Sequence, residues 1–537
     1  MEKKYDVVIN NGMVIDGAGN PYVRKDLAIK DGVIVRIGSI SPQEGRLSID
    51  ASQRVVCPGF IDLHNHCDQG ILPFPQAESS VLQGVTTSVA GNCGLSMAPV
   101  EPMRLDLLVK YNLPFLHPGF DYEWDWKSFG EYYQKVQERG MGQNLAPFVG
   151  QGTIRIAVKG FDSSPASPEE MAQMKKLLER SMEEGAFGIS TGLIYPPGNF
   201  TGTEELIELT SVLKKYMGVY ASHLRNESYQ LIESVDEAIR IGETNSIPVE
   251  ISHHKAIGRA NWGKVNATLR IMQEARERGV EVSCDVYPYI AASTTVSSLL
   301  PGWALEGGIQ KMLGRLSDPG SRKKIKEDIL SGEMVGENCI KSIGWKNLYI
   351  TDCSRDKPQE GKNFREIFSS SGNGYEIFDK FFDWLLSIEG EAKMAMFGMC
   401  EEDLKTILRC PFSSVISDSW VTGPSAGGKP HPRAYGTFPR VLGKYVREEK
   451  VLSLEEAIRK MTSMPAGKIG LRKRGLLAEG FYADLVIFDP DNISDRATYQ
   501  SPHQYPQGIS HVFVNGTMVV KEGELTGKRP GKVLSRS

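Results

Sequence analysis

From Val55 to His66 the chain reads Val-Val-Cys-Pro-Gly-Phe-Ile-Asp-Leu-His-Asn-His, an apolar run that ends in two histidines. Side chains on an extended strand repeat every second residue, so His64 and His66 point the same way. Two imidazoles converging at a strand end make half of a metal site. The matching halves lie downstream: Cys93 in Gly91-Asn92-Cys93-Gly94, His223 in Ser222-His223-Leu224-Arg225, His253 in Ile251-Ser252-His253-His254-Lys255, and Asp418 in Ile416-Ser417-Asp418-Ser419. Each ends a short apolar run. That pattern constrains the fold, because a parallel barrel collects its catalytic side chains at the carboxyl ends of its strands.

The stretch from about Gly59 to about Gly470 alternates strands with helices. Helical patterns cover Ser167 to Glu184, Thr203 to Tyr216, Ser228 to Thr244 and Lys264 to Arg278. Ser167-Pro168-Glu169-Glu170 is a helix start: a serine cap, proline at the first position, then acids on the positive end of the dipole. Val219–Ser222, Pro248–Ser252 and Val280–Cys284 read as strands between helices. The fold class is therefore α/β, a (β/α)₈ TIM-like barrel over residues 58–470, with an open parallel sheet as the second choice. Residues 299–407 break the rhythm and read either as an insertion near the barrel mouth or as a surface excursion plus one regular βα unit.

Both ends read differently. Tyr5–Ile9, Gly12–Asp16, Asp26–Ile29 and Val33–Ile37 are short β-branched runs separated by glycine-bearing turns such as Asn10-Asn11-Gly12. Ala483–Phe488, His511–Val514 and Thr517–Val520 repeat the style. Residues 1–57 and 471–537 together are expected to form one small β-domain.

Bulk properties exclude several function classes. A chain of 537 residues, 40% hydrophobic and 24% charged, can bury a large core. Its formal charge of −4 carries no strong basic excess, so nucleic acid is not an expected partner. No run of about 20 apolar residues is present, so no membrane partner is expected. The start, Met1-Glu2-Lys3-Lys4-Tyr5-Asp6, lacks the apolar core of a secretory signal, and eight scattered cysteines fit a reducing cytosol. The partner left is a small-molecule substrate.

Zinc takes nitrogen and sulfur ligands in tetrahedral geometry, and a catalytic site keeps one position open. Cys93, His223 and His253 supply three ligands. His64 and His66, sharing the Cys93 thiolate, would hold a second, weaker ion. Asp418 is the candidate general base, taking a proton from metal-activated water and handing it to a leaving nitrogen. The implied reaction is hydrolysis of an amide or similar carbonyl–nitrogen bond. His254 should face away from His253, and Cys57, Cys284 and Cys410 read as small core hydrophobes.

Pro58-Gly59-Phe60-Ile61-Asp62-Leu63-His64-Asn65-His66 resembles the first-strand signature of the amidohydrolase superfamily. Gly91–Gly94, Ile251–Lys255, Gly188–Gly198, Asp285–Tyr289 and His431–Arg440 resemble its N-acyl-D-amino-acid deacylase (D-aminoacylase) branch. The resemblance runs from about Tyr5 to Val520. It implies a barrel with a small β-domain from both termini, a tight zinc on Cys93, His223 and His253, a weak one on His64, His66 and Cys93, and Asp418 as base. It also implies that Lys255, Tyr287 and Ser293 hold the substrate carboxylate, a charge-assisted cradle of one ammonium and two hydroxyls. Arg433 is either a further anion contact or a structural ion-pair partner. Cys67, next to the histidines, should face the opposite side of their strand.

The leading expectation is zinc-dependent cleavage of N-acyl-D-amino acids into a carboxylate and a free D-amino acid. Between Tyr287 and Gln310 there is no Lys or Arg, and Leu299, Leu300, Trp303 and Leu305 are apolar. A preference for neutral or hydrophobic side chains follows. The alternatives are a D-aminopeptidase-like or hydantoinase-like enzyme and, from another class, a non-catalytic scaffold of amidohydrolase fold. Handedness comes from the resemblance alone.

Overall fold

The computed structural model describes residues 3–332, 334, 336–369 and 376–536. A nine-stranded sheet draws on both ends of the chain. Strand Val55–Pro58 pairs antiparallel with Leu485–Phe488, opposing Cys57 to Val486 and Pro58 to Leu485. The expected turn at Asn10-Asn11-Gly12 is instead a bulge. Tyr5–Val14 is one strand whose register to Val23–Lys30 shifts between Ile9 and Gly12, with Asn11 at φ 63°. An Asn-Gly pair supplies left-handed backbone to a bulge as readily as to a hairpin.

The apolar run Val55–Leu63 is not one strand. Val55–Pro58 belongs to the nine-stranded sheet, and Phe60–Asp62 opens a parallel sheet. Gly59 is the crossing point. A Cβ there would lie 2.1 Å from Thr86 Oγ1 on the neighbouring strand of the parallel sheet, so no side chain fits at the crossing.

Two parallel sheets follow. One holds Phe60–Asp62, Val85–Ala90 and Asn144–Pro147. The other holds Val149–Gly150, Gly188–Gly192, Val219–His223, Val249–Ile251, Val282–Val286 and Ser413–Val415. They meet at both margins. Phe148, between two short strands, donates its N–H to Ala90 O at 2.8 Å. At the other margin the Asp418 N–H reaches His64 O at 2.9 Å, and the His66 N–H reaches Ser419 O at 2.8 Å. These strands are buried on both faces, as parallel strands covered by helices must be.

Helix Pro168–Glu183 starts as the sequence requires: Ser167 accepts the Glu170 N–H, and Glu170 accepts the Ser167 N–H. The 203–216 segment divides into Thr203–Thr210 and Leu213–Tyr216. The helix expected from Ser228 starts at Leu231, because Asn226 Oδ1 accepts the Ser228 and Gln230 N–H groups and holds a turn there.

The irregular segment starts before Leu299 and stops short of 407. Ala292–Thr295, Lys393–Met396 and Leu348–Asp352 form an antiparallel sheet, and helices pack on it around a core that includes Ile325, Phe364, Phe381 and Met394. Helix Glu401–Arg409 packs instead on Lys264–Glu277 and Ser413–Val415, so it belongs to the strand–helix alternation. Leu299 and Leu300 are buried in the segment's own core, with Trp303 packed against it. They do not line the cavity that holds the ligand candidates, so the side-chain preference expected from them has no support in their position. Among the described residues, no helix is long and apolar enough to cross a membrane.

Candidate metal centre and active site

The ligand candidates sit where strands end and the backbone turns. Cys93 has φ 52°, His253 φ 36° and Asp418 φ 49°, left-handed values that residues with a Cβ adopt at a cost. His64 and His66 lie just past strand Phe60–Asp62 rather than on it. His66 precedes a short helix, Cys67–Gly70, that carries Cys67 away from an extended path. The two rings still meet edge to face with centroids 5.5 Å apart.

Cys93 Sγ is the hub. His64 Nε2 lies 3.2 Å from it, His253 Nε2 3.5 Å and His223 Nδ1 3.6 Å. Zinc bonds of about 2.3 Å to sulfur and about 2.0–2.1 Å to nitrogen, set tetrahedrally, place such ligand atoms about 3.5 Å apart. Opposite the thiol, Asp418 Oδ1 lies 3.2 Å from His66 Nε2 and 3.5 Å from His64 Nε2. Among the described residues, two groups have ligand atoms close enough to share an ion: His64, Cys93, His253 and Asp418, and His223, Glu227 and His253. His223 Nε2 and the Nδ1 atoms of His64 and His66 are buried without a hydrogen-bond partner among the described residues.

Electrostatics match a cation site. Burial pushes all four imidazoles down, so they stay neutral with lone pairs available. Burial, with Asp418 close by, pushes the Cys93 thiol well up, a shift that a bound cation reverses. For Asp418 burial acts upward, but the Arg433 guanidinium and the hydrogen bond from His66 act downward, and the carboxyl lies well below its usual range.

Of the ten residues singled out by sequence, nine line one cavity: His66, Cys93, His223, His253, Lys255, Tyr287, Ser293, Asp418 and Arg433. His64 is fully buried behind it. Ser293 is not in a loop but in strand Ala292–Thr295, at the edge of the inserted sheet. Arg433 Nη1 pairs with Asp418 Oδ2, and its guanidinium sits 4.7 Å from the centre of the Tyr287 ring. Lys255 Nζ is engaged, lying 2.5 Å from Glu227 Oε1 and 2.9 Å from His253 Nδ1. His254 turns away, its Nε2 2.8 Å from Thr268 Oγ1.

The amidohydrolase family model matches residues 48–208 and 404–520. A D-aminoacylase of Alcaligenes xylosoxydans xylosoxydans is 34% identical over 99% of this chain and 98% of its own. An N-acyl-D-aspartate deacylase of the same organism is 35% identical over 99% of this chain and 95% of its own. The chain belongs to the N-acyl-D-amino-acid deacylase branch of the amidohydrolases. Among solved structures, the N-acyl-D-glutamate deacylase of Bordetella bronchiseptica, complexed with zinc and a phosphonate mimic of the tetrahedral intermediate, is 32% identical. It matches with a TM-score of 0.81 over 99% of this chain and 100% of that one.

Four acids of this amidohydrolase escaped the sequence reading. Asp62 takes the Ser417 N–H on one oxygen and Asn65 Nδ2 on the other, tying the His-Asn-His turn to the Asp418 turn. Asp285 accepts the His253 N–H and lies 3.8 Å from His64 Nδ1; burial pushes its carboxyl up to about 7. Glu227 Oε1 lies 3.1 Å from His253 Nδ1. Glu337 comes from the inserted segment and lines the same cavity. Asp62 and Asp285 end apolar runs, the signal that singled out Asp418. Glu227 and Glu337 carry no local signal.

Proposed function

We propose that this amidohydrolase cleaves the amide bond of N-acyl-D-amino acids, with zinc as cofactor, and releases a carboxylate and a free D-amino acid. The observation that carries the reading is Cys93 Sγ set 3.2–3.6 Å from three buried imidazoles, with an ionised Asp418 across the site. The donor set and spacing fit zinc. Cys93, His223 and His253 would hold the tight ion; His64, His66 and Cys93 would hold a second, weaker one. A bound ion polarises the scissile carbonyl and acidifies water.

The protein's own residues do the rest. Asp418 takes the proton from the attacking water and delivers it to the departing nitrogen; Arg433 keeps the carboxylate charged until then. Tyr287 and Ser293 offer hydroxyls to the substrate carboxylate, and Lys255 adds positive charge to that wall although Glu227 already holds it. Leu95, Phe115, Ile257 and Met396 give the cavity apolar walls, which supports neutral or hydrophobic side chains over acidic ones. The two parallel sheets read as arcs of one eight-stranded (β/α)₈ barrel. The nine-stranded sheet reads as a small domain built from residues 1–57 and 471–537.

A panel of N-acetyl-D-leucine, N-acetyl-L-leucine and N-acetyl-D-glutamate tests the reading on zinc-loaded protein. Hydrolysis of the D-leucine derivative well above both others is expected. Preference for the L substrate, or no turnover of any, defeats the proposal.

A further inference from the structure

Glu337 is a buried acid with half of its carboxylate unused. The residue is 6% exposed and lines the cavity with Cys339, Ile257 and Met396. Oε2 accepts the Glu227 N–H at 2.6 Å, while Oε1 is buried with no partner among the described residues. Its orientation is fixed from outside. Asn226 Nδ2 and Tyr229 Oη both donate to Gly336 O, at 3.0 and 2.9 Å, pinning the inserted segment to the loop that carries Glu227.

Nearby cations are committed elsewhere. Lys255 Nζ is bonded to Glu227, and Arg433 is paired with Asp418. Burial pushes the Glu337 carboxyl up to about 7, so from neutral pH upward an unpaired acceptor without a counter-ion lies in the wall of the cavity holding the ligand candidates. A buried acceptor gains by meeting a cation or an N–H donor and penalises another carboxylate strongly.

Building on the deacylase reading above, we propose that Glu337 determines side-chain specificity. Its free oxygen admits D-side chains that end in a cation or an N–H donor and excludes those that end in a carboxylate. The relatives act under the names D-aminoacylase, N-acyl-D-aspartate deacylase and N-acyl-D-glutamate deacylase at nearly equal identity. Overall identity therefore does not choose among side chains; a single charged group in the cavity does.

The test compares kcat/KM for N-acetyl-D-leucine, N-acetyl-D-lysine and N-acetyl-D-glutamate in the wild type, Glu337→Gln and Glu337→Asp. In Glu337→Gln the glutamate-to-leucine ratio should rise about tenfold and the lysine-to-leucine ratio fall about tenfold, mostly through KM. Glu337→Asp, which keeps the charge, should retain the wild-type order. Shifts above threefold in either ratio, in those directions, support the assignment. Both ratios within threefold of wild type, in a Glu337→Gln protein of wild-type zinc content, overturn it. Should that variant not fold, the wild type decides: faster hydrolysis of the glutamate than of the lysine derivative overturns the assignment, and the reverse order supports it. Turnover of N-acetyl-D-leucine with unmoved ratios sinks only the Glu337 role; no turnover of any substrate sinks the deacylase reading and this role with it.

Discussion

Arg433 Nη1 lies 2.7 Å from Asp418 Oδ2, and the two side chains are buried together. Burial alone would raise the Asp418 carboxyl. Arg433 heads the charges that reverse this and bring it well below the usual carboxylate range. The active form of a general base is the ionised one. In Arg433→Gln the uncompensated burial should dominate and the carboxyl should titrate higher. The acidic limb of the kcat/KM profile is expected to move up by at least about one pH unit, with activity at neutral pH down about a hundredfold. An unmoved limb in a folded, zinc-loaded variant would show that Arg433 does not set the protonation of Asp418.

Cys93 touches three imidazoles, so its loss should remove more than one metal contact. Cys93→Ala is expected to lose tightly held zinc and activity together. Chelator dialysis of the wild type should give the same inactive state, reversible by zinc, whereas the variant should not recover. Element analysis beside the assay checks this. Full turnover by Cys93→Ala at wild-type zinc content would remove the thiolate from the metal centre.

The candidate ligands stand out in the sequence because each ends a run of β-branched or apolar residues, and strand ends are where side chains converge. The helix at Pro168–Glu183 was legible because its capping box is local. Three features were not. The run Val55–Leu63 looks continuous, yet Gly59 divides it between two sheets, a division set by the approach of Thr86 from elsewhere in the chain. Leu299 and Leu300 look like pocket walls, but the inserted segment builds a core of its own and takes them into it. Glu227 and Glu337 sit in a helix-bound loop and an insertion, and their partners are 28 and 110 positions away. Long-range pairing of that kind leaves no periodic trace.

Gly91 shows how tightly the Cys93 turn is packed. It has φ +75°, and a Cβ on it would lie 2.0 Å from Phe148 O. Ser190 Oγ donates to the Gly91 carbonyl and accepts the Gly94 N–H, so the turn is held on both sides of the cysteine. Gly91→Ala must displace backbone. A loss of about 1–3 kcal/mol in stability is expected, along with weaker zinc binding. Thermal unfolding and a zinc competition titration measure the two effects. Wild-type values in both would mean that the turn does not position the ligand.

Glu227 orients His253. For His253 Nε2 to face the thiol as a ligand, its proton must sit on Nδ1, and of the two groups beside that atom, Lys255 Nζ at 2.9 Å and Glu227 Oε1 at 3.1 Å, only the carboxylate can accept it. The same oxygen holds Lys255, so one carboxylate fixes both a tautomer and a cation. Glu227→Gln keeps the shape but removes the charge, and its amide can present a donor where Nδ1–H needs an acceptor. Zinc affinity or activity should fall about 10–100-fold, the usual effect of losing a carboxylate behind a metal-bound histidine. Lys255, released from its counter-ion, should at the same time gain attraction for the substrate carboxylate, so KM should fall or hold while kcat drops. Zinc competition and the kcat–KM split read these separately. A rise in KM with kcat and zinc affinity unchanged would mean that Glu227 serves the substrate pocket and not His253.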